Sequence, residues 1–277
     1  MSSFGERIRA GMTAHGQLCV GIDPHAHLLA EWGLDASAAG VREFGLRVVE
    51  AAAGRVAVVK PQVSFFEVHG SAGFAALEDV LAAARDAGLL VIADAKRGDI
   101  GTTMDAYAKA WLTPGSPLEA DALTVNPFLG AGALDGTFDL ALRHGKGVFV
   151  LAATSNPEAL GLQRAHDGNG DTVSAGIVRE VSERNARTAG DGEWGSLGFV
   201  VGATVDWADA GLRPFVPVAP ILGPGFGHQG AEPRHLRERF GVLQEAVVAS
   251  ESRSILAAGP DRLAARISER ALLYRGD

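Results

Sequence analysis

Eight short apolar runs, separated by stretches of helical period, constrain this chain more than any other feature. The runs are Leu18–Ile22, Val56–Lys60, Leu89–Ala93, Ala122–Asn126, Gly147–Ala153, Leu197–Ala203, Ala219–Gly223 and Ser254–Ala258. Each is continuously apolar rather than alternating, as expected of strands buried on both faces of a parallel sheet. Between them lie amphipathic stretches, clearest at Gly40–Ala53, Ala72–Ala87, Met104–Trp111 and Val173–Thr188, with Glu232–Ser250 the longest. Alternation at this count is the signature of a (β/α)8 TIM barrel, an α/β fold, with a doubly wound open sheet as the competitor. No linker or short repeat interrupts the pattern, so residues 1–277 are expected to form a single barrel domain.

Composition narrows the function classes. Lys and Arg number 25 against 33 Asp and Glu, a formal charge of −8. That balance argues against a general nucleic-acid binder, which needs a basic face for phosphate backbones, but it leaves room for one basic pocket. The single cysteine, Cys19, excludes an internal disulfide framework and any multi-cysteine metal site. It fits a reducing, cytoplasmic setting and reads as a buried, inert thiol. No apolar run approaches a membrane span, and Met1–Ala14 lacks the apolar core of a signal peptide. No membrane partner is expected.

Barrel chemistry belongs at the C-terminal ends of the strands. Read in order, those ends carry Asp23, Lys60, the segment Asp94-Ala95-Lys96-Arg97-Gly98-Asp99, Asn126, Thr154-Ser155-Asn156, and the Gly-rich Gly223–Ala231. Charges in half-buried places are costly unless paired, so two lysines and several carboxylates converging on one mouth point to mutual pairing and tuned pKa values. On an extended stretch Asp94 and Lys96 share a face, and Gly98 permits the chain to turn before Asp99. Alternating charges of this kind keep a lysine protonated and aimed, which suits a proton donor to a carbanion. His25 and His27 have the spacing of a metal pair but lack a third ligand nearby, so no metal site is expected. Phe65 and Phe66 read as packing at the barrel top, and Trp111, Trp194 and Trp207 as packing in or beside helices.

The ordered motifs VGIDPH (20–25), VVKPQVSFFE (58–67), DAKRGDIGTT (94–103), TVNPFLG (124–130), VLAATSNPEA (150–159), ILGPGFGHQGA (221–231) and SRSILAAG (252–259) resemble the orotidine 5'-phosphate decarboxylase family over nearly the full length. The resemblance implies a cofactor-free carboxy-lyase converting orotidine 5'-phosphate to UMP and CO2 in pyrimidine biosynthesis. It implies a catalytic Lys-Asp-Lys-Asp network of Lys60, Asp94, Lys96 and Asp99, with Lys96 protonating C6 of the pyrimidine and Asp94 facing the departing carboxylate. Asp23 and Lys60 would hold ribose hydroxyls, Ser155 would meet the pyrimidine edge, and Gln229 would span base and phosphate. Asn126 joins the substrate-binding set as the residue closing the fourth run. The phosphate would sit in the Gly225–Gly230 turn, with Arg253, placed before the eighth strand on this reading, as its cation. Asp99 and Thr103 would reach the substrate of a neighbouring subunit, implying a homodimer with shared sites.

Two rivals have recognisable signatures. Sugar-phosphate decarboxylases and hexulose-phosphate aldolases of the same superfamily use Mg²⁺ held partly by an acidic residue ending the second strand. Here that position is Lys60, and an ammonium disfavours a dication. A barrel that only binds pyrimidine nucleotides has no need of an acid poised over C6.

Overall fold

The computed structural model describes residues 2–228 and 230–275. Eight strands, β1 Leu18–Ile22, β2 Val58–Pro61, β3 Leu90–Arg97, β4 Ala122–Val125, β5 Gly147–Ala153, β6 Leu197–Val201, β7 Ile221–Pro224 and β8 Val247–Glu251, pair in chain order, all parallel. The barrel closes where β1 meets β8, with Leu18, Cys19 and Val20 opposite Ala249, Ser250 and Glu251. Twelve α-helical segments among the described residues surround or cap it. They are α1 Phe4–His15, α2 Ala26–Glu31, α3 Ala38–Ala52, α4 Ser64–Glu67, α5 Gly70–Asp86 and α6 Gly101–Leu112, followed by α7 Asp135–Arg143, α8 Leu160–Gln163, α9 Val173–Thr188, α10 Leu236–Phe240, α11 Arg253–Leu256 and α12 Leu263–Leu273.

Period two sorts each strand into two cores. Cys19, Val58, Ile92, Ala122, Phe149, Val200, Leu222 and Val248 point inward and pack together. Their neighbours Leu18, Val20, Ile22, Val59, Val91, Ala93, Val148, Val150 and Phe199 point outward, into the layer shared with the helices. Helix α1 closes the bottom of the inner core through Phe4, Ile8 and Met12. Phe4 meets Phe149 edge-to-face at 6.0 Å, and a Cβ at Gly147 would stand 2.1 Å from the Phe4 ring. Glycine starts β5 because the plug needs that space. With the bottom filled, the open end of the barrel lies at the C-terminal ends of the strands. Among the described residues no helix is long and apolar enough to cross a membrane.

The expected strands and helices agree with these elements except at the C-terminal end. Ser254–Ala258 is not a strand: Arg253–Leu256 forms the short helix α11. The eighth strand is Val247–Glu251, inside the stretch Glu232–Ser250 that reads as a long helix. That stretch divides into a 3₁₀ turn at Pro233–His235, α10, and a second 3₁₀ segment at Gly241–Ala246. Gly241, at φ +50°, ends α10, the β-branched pair Val247-Val248 then finds partners on β7, and Ala249 to Glu251 pair with β1. The polar Ser250 and Glu251 hide this strand from a search for apolar runs. The correction carries Arg253 from below the barrel to its mouth.

Candidate active site

The third strand does not run straight through its charged end. Ala93 pairs with Leu123 and Arg97 with Val125, so Asp94, Ala95 and Lys96 occupy the span that Thr124 alone occupies on β4. A bulge of this kind re-aims side chains near a barrel rim. Lys96 sits at its crest with φ +48°, the only positive φ outside glycine among the described residues. Holding a lysine there costs about 1–3 kcal/mol of backbone strain. The Lys96 N–H donates to the Thr124 hydroxyl oxygen at 2.9 Å, and that hydroxyl donates to Asp94 Oδ1 at 3.0 Å. Asp94 and Lys96 thus meet, but through a bulge and not as two residues of one extended face.

Asp94 is the centre of the cluster. Its Oδ2 accepts from Lys60 Nζ at 2.7 Å and its Oδ1 from Lys96 Nζ at 2.5 Å. Asp94 and Lys60 are buried, whereas the Lys96 side chain is 45% exposed and faces the open mouth. Burial alone would push the Asp94 carboxyl up, but the Lys60 charge, then that of Lys96, outweighs it and holds Asp94 well below the carboxylate range. Burial would likewise lower Lys60, yet Asp94, and Asp23 after it, raise it above the ordinary lysine value. The result is a fixed carboxylate between two ammonium groups, one sealed and one presented.

These groups line a cleft of about 260 Å³ together with Asp23, Gln62, Gly225, Phe226, His228, Ser250, Ser252 and Arg253. Asp23 Oδ1 is buried with no hydrogen-bond partner among the described residues, as is Ser252 Oγ. A larger cleft of about 780 Å³ lies lower, against α1 and the chain around α12, but the cations lining it are the surface residues Arg9, Arg234, Arg237 and Arg275. The cleft with the paired, buried charges is the candidate active site.

Six expected site residues meet at this mouth: Asp23, Lys60, Asp94, Lys96, Gly225 and Arg253. Five do not line it in the single chain. Asp99 accepts from the Ile100 N–H at 2.8 Å, and Thr103 is exposed on the first turn of α6. Asn126 accepts from the Phe128 N–H at 3.0 Å, so its side chain shapes its own turn. Ser155 is exposed beyond β5. Gly230 lies outside the cleft, its N–H directed to the Gly227 carbonyl at 3.0 Å. Gln229 lies outside the described residues. The inward row also supplies Gln62, Ser250 and Ser252, which the sequence reading passed over. Gln62 is two residues beyond Lys60, so period two was the signal that could have found it, whereas Ser250 and Ser252 lie on and just after a strand placed elsewhere in that reading. His25 packs its ring on Phe65 at 4.4 Å, with His27 at 5.4 Å, and burial lowers its pKa. Phe66 is buried as expected. Cys19 lies beneath the cluster, its thiol pushed up to about 12 by burial.

Beside Asp99 the surface turns apolar. Val68, Ile100, Phe128 and Leu129 are 75%, 61%, 72% and 53% exposed on the loops that follow β2, β3 and β4. Arg97 joins these loops, pairing with Glu67 and lying 5.5 Å over the Tyr107 ring.

A closed parallel barrel with a lysine–aspartate–lysine cluster at its C-terminal mouth defines a barrel-enzyme site built for charge and proton handling. The chain belongs to the orotidine 5'-phosphate decarboxylase / HUMPS family, whose family model matches residues 16–267. It is 51% identical over 266 residues to orotidine 5'-phosphate decarboxylase of Salinispora arenicola, covering 96% of this chain and 94% of that protein. It is 48% identical over 278 residues to the enzyme of the same name from Corynebacterium efficiens, covering 99% and 98%. A crystal structure from Streptomyces avermitilis, assigned to the same activity, superposes with a TM-score of 0.93 at 46% identity, over 99% of this chain and 95% of that one.

Proposed function

We propose that the chain is a cytoplasmic, single-domain decarboxylase that converts orotidine 5'-phosphate to UMP and CO2, the decarboxylation step of pyrimidine biosynthesis, with no cofactor. The observation that carries this is the Lys60–Asp94–Lys96 chain of ion pairs, which ends in a half-exposed ammonium at a strained bulge. In the reaction the C6–carboxylate bond breaks, CO2 leaves, and the bonding electron pair stays on C6. The Lys96 ammonium, already in place, stabilises that charge and then transfers its proton to C6, becoming a neutral amine. Asp94 faces the departing carboxylate and fixes both lysines. Lys60 and Asp23 hold the ribose hydroxyls, and Arg253 with the glycine turn holds the phosphate. Those contacts lie away from C6 and convert remote binding energy into orientation.

The working unit is a homodimer with shared sites. Asp99 and Thr103 do not line their own mouth and lie in sequence beside the exposed Ile100, a setting that suits a two-fold contact delivering them to the partner's ribose. Ser155 and Asn126 add contacts to the substrate from the rim. The test of the reaction is the loss of orotidine 5'-phosphate absorbance on mixing with the protein, with and without a chelator. Turnover unaffected by the chelator is expected. No turnover, or turnover that metal removal abolishes, contradicts the proposal.

A further inference from the structure

One charged group lies outside the mouth and has no part in the reaction above. Along β8, Val247 and Ala249 face outward and are buried apolar residues, as that layer demands, and the next outward position is Glu251. Its side chain is fully buried yet fully satisfied. Oε1 accepts from the Tyr274 hydroxyl at 2.6 Å and from Arg270 Nη2 at 2.5 Å, and Oε2 accepts from the Ser254 hydroxyl at 2.7 Å. Arg270 Nε lies 3.1 and 3.0 Å from the two oxygens, and Nη2 also donates to Glu232 at 3.2 Å. Burial and the Glu251 charge raise the Tyr274 hydroxyl above its ordinary range, so it stays a donor. A buried ion pair contributes little stability that well-packed apolar residues would not, so its presence here calls for a geometric reason.

The network touches both halves of the cleft's anion-binding edge. Ser254 directly follows Arg253 and begins α11 with it. Gly227, at φ +69°, rests on the same carboxylate: a Cβ there would lie 2.9 Å from Glu251 Oε2 and 2.5 Å from Ser254 Oγ. The glycine turn closes on itself through Gly227 N–H to Ala231 at 2.8 Å, and Glu232 is the next residue. Arg270 of α12 therefore grips the start of the arginine helix through Glu251 and the end of the glycine turn through Glu232.

We propose that Glu251, Arg270 and Tyr274 are positioning residues that fix Arg253 and the glycine turn at Gly225–Gly227 at the separation a phosphate monoester requires. The proposal rests on the reading of this edge as the phosphate site. Its test is calorimetric binding of UMP and of uridine to the wild-type protein and to Glu251→Gln, with thermal unfolding as the control for folding. Glu251→Gln keeps the size of the side chain and removes its charge. UMP affinity is expected to fall about tenfold, the scale of one charge-assisted contact, while uridine affinity stays within about twofold. In an Arg253→Ala background the same substitution should lower UMP affinity by a smaller factor, since the two residues act through one contact. If Glu251→Gln does not fold, Tyr274→Phe, which leaves Arg270 on both oxygens, carries the test with an expected UMP-specific loss of about threefold. A folded variant that binds UMP as well as wild type, or loses UMP and uridine affinity equally, overturns the proposal. A wild-type protein that binds UMP no better than uridine overturns the phosphate-site reading itself.

Discussion

Burying Asp94 among apolar strands favours a neutral carboxyl, and Lys60 at 2.7 Å reverses that preference. The pH consequence follows from the sign of each shift. Asp94 titrates below its ordinary 3.8 in the folded protein, so its stabilisation is complete above about pH 4 and is lost as pH falls through the folded value. Lys60 is raised above its ordinary 10.5, so its stabilisation is complete below that value and is lost only as pH rises through the folded one. Urea unfolding between about pH 5 and pH 2 should show stability falling with acid in the wild type. In Asp94→Asn the fall should be shallower, from a lower starting stability, because buried Lys60 loses its partner. Equal slopes would show that Asp94 is not held ionised. At the rim, Arg253→Ala should weaken UMP binding by roughly 1.5–3 kcal/mol, the range for a hydrogen bond to a charged group, and leave uridine unaffected. Equal losses for both ligands would make Arg253 structural. Lys60, Asp94 and Lys96 were legible in the sequence because charges ending apolar runs need partners. The conformation of Lys96 was not, because only the β3–β4 register shift forces a lysine to positive φ.

Elements divide the barrel into a plugged apolar bottom and an open, charged top. Helix α1 seals the bottom with Phe4, Ile8 and Met12, on the face opposite the charge cluster. Phe4→Ala should therefore cost about 3–5 kcal/mol in denaturant unfolding, with kcat/KM nearly unchanged while the protein stays folded. A large drop in kcat/KM at full folding would mean that the plug reaches the mouth. Seven of the eight strands were legible as apolar runs, because a strand buried on both faces must be apolar on both. The eighth was hidden by its own work: Ser250 lines the cleft and Glu251 serves the Arg270 network, so two of its five residues are polar. The helix α1 gave no strong signal, since its three plugging residues are spread among arginines and glycines whose space-filling role depends on Phe149 across the barrel.

At the scale of the whole molecule, the role proposed for Asp99 and Thr103 requires a second chain, because neither lines the mouth of its own. Local sequence shows only that they lie beyond the turn at Gly98, and the exposed Ile100, Phe128 and Leu129 supply the reason to look across a subunit boundary. Mixing inactive Lys96→Ala and Asp99→Ala chains, with dimers free to exchange, tests this. Half of the dimers become mixed, and each mixed dimer has one site with both lesions and one with neither, so activity should recover to about a quarter of wild type. No recovery despite demonstrated exchange would place Asp99 in its own chain's site. The central claim concerns the presented ammonium, and single-turnover decarboxylation of orotidine 5'-phosphate by Lys96→Ala addresses it most directly. With unchanged unfolding behaviour, the variant should be slower by about a thousandfold or more, because it loses both the preorganised charge and the proton source. A folded Lys96→Ala protein that keeps a tenth of the wild-type rate, about the effect of 1.4 kcal/mol, would contradict the account.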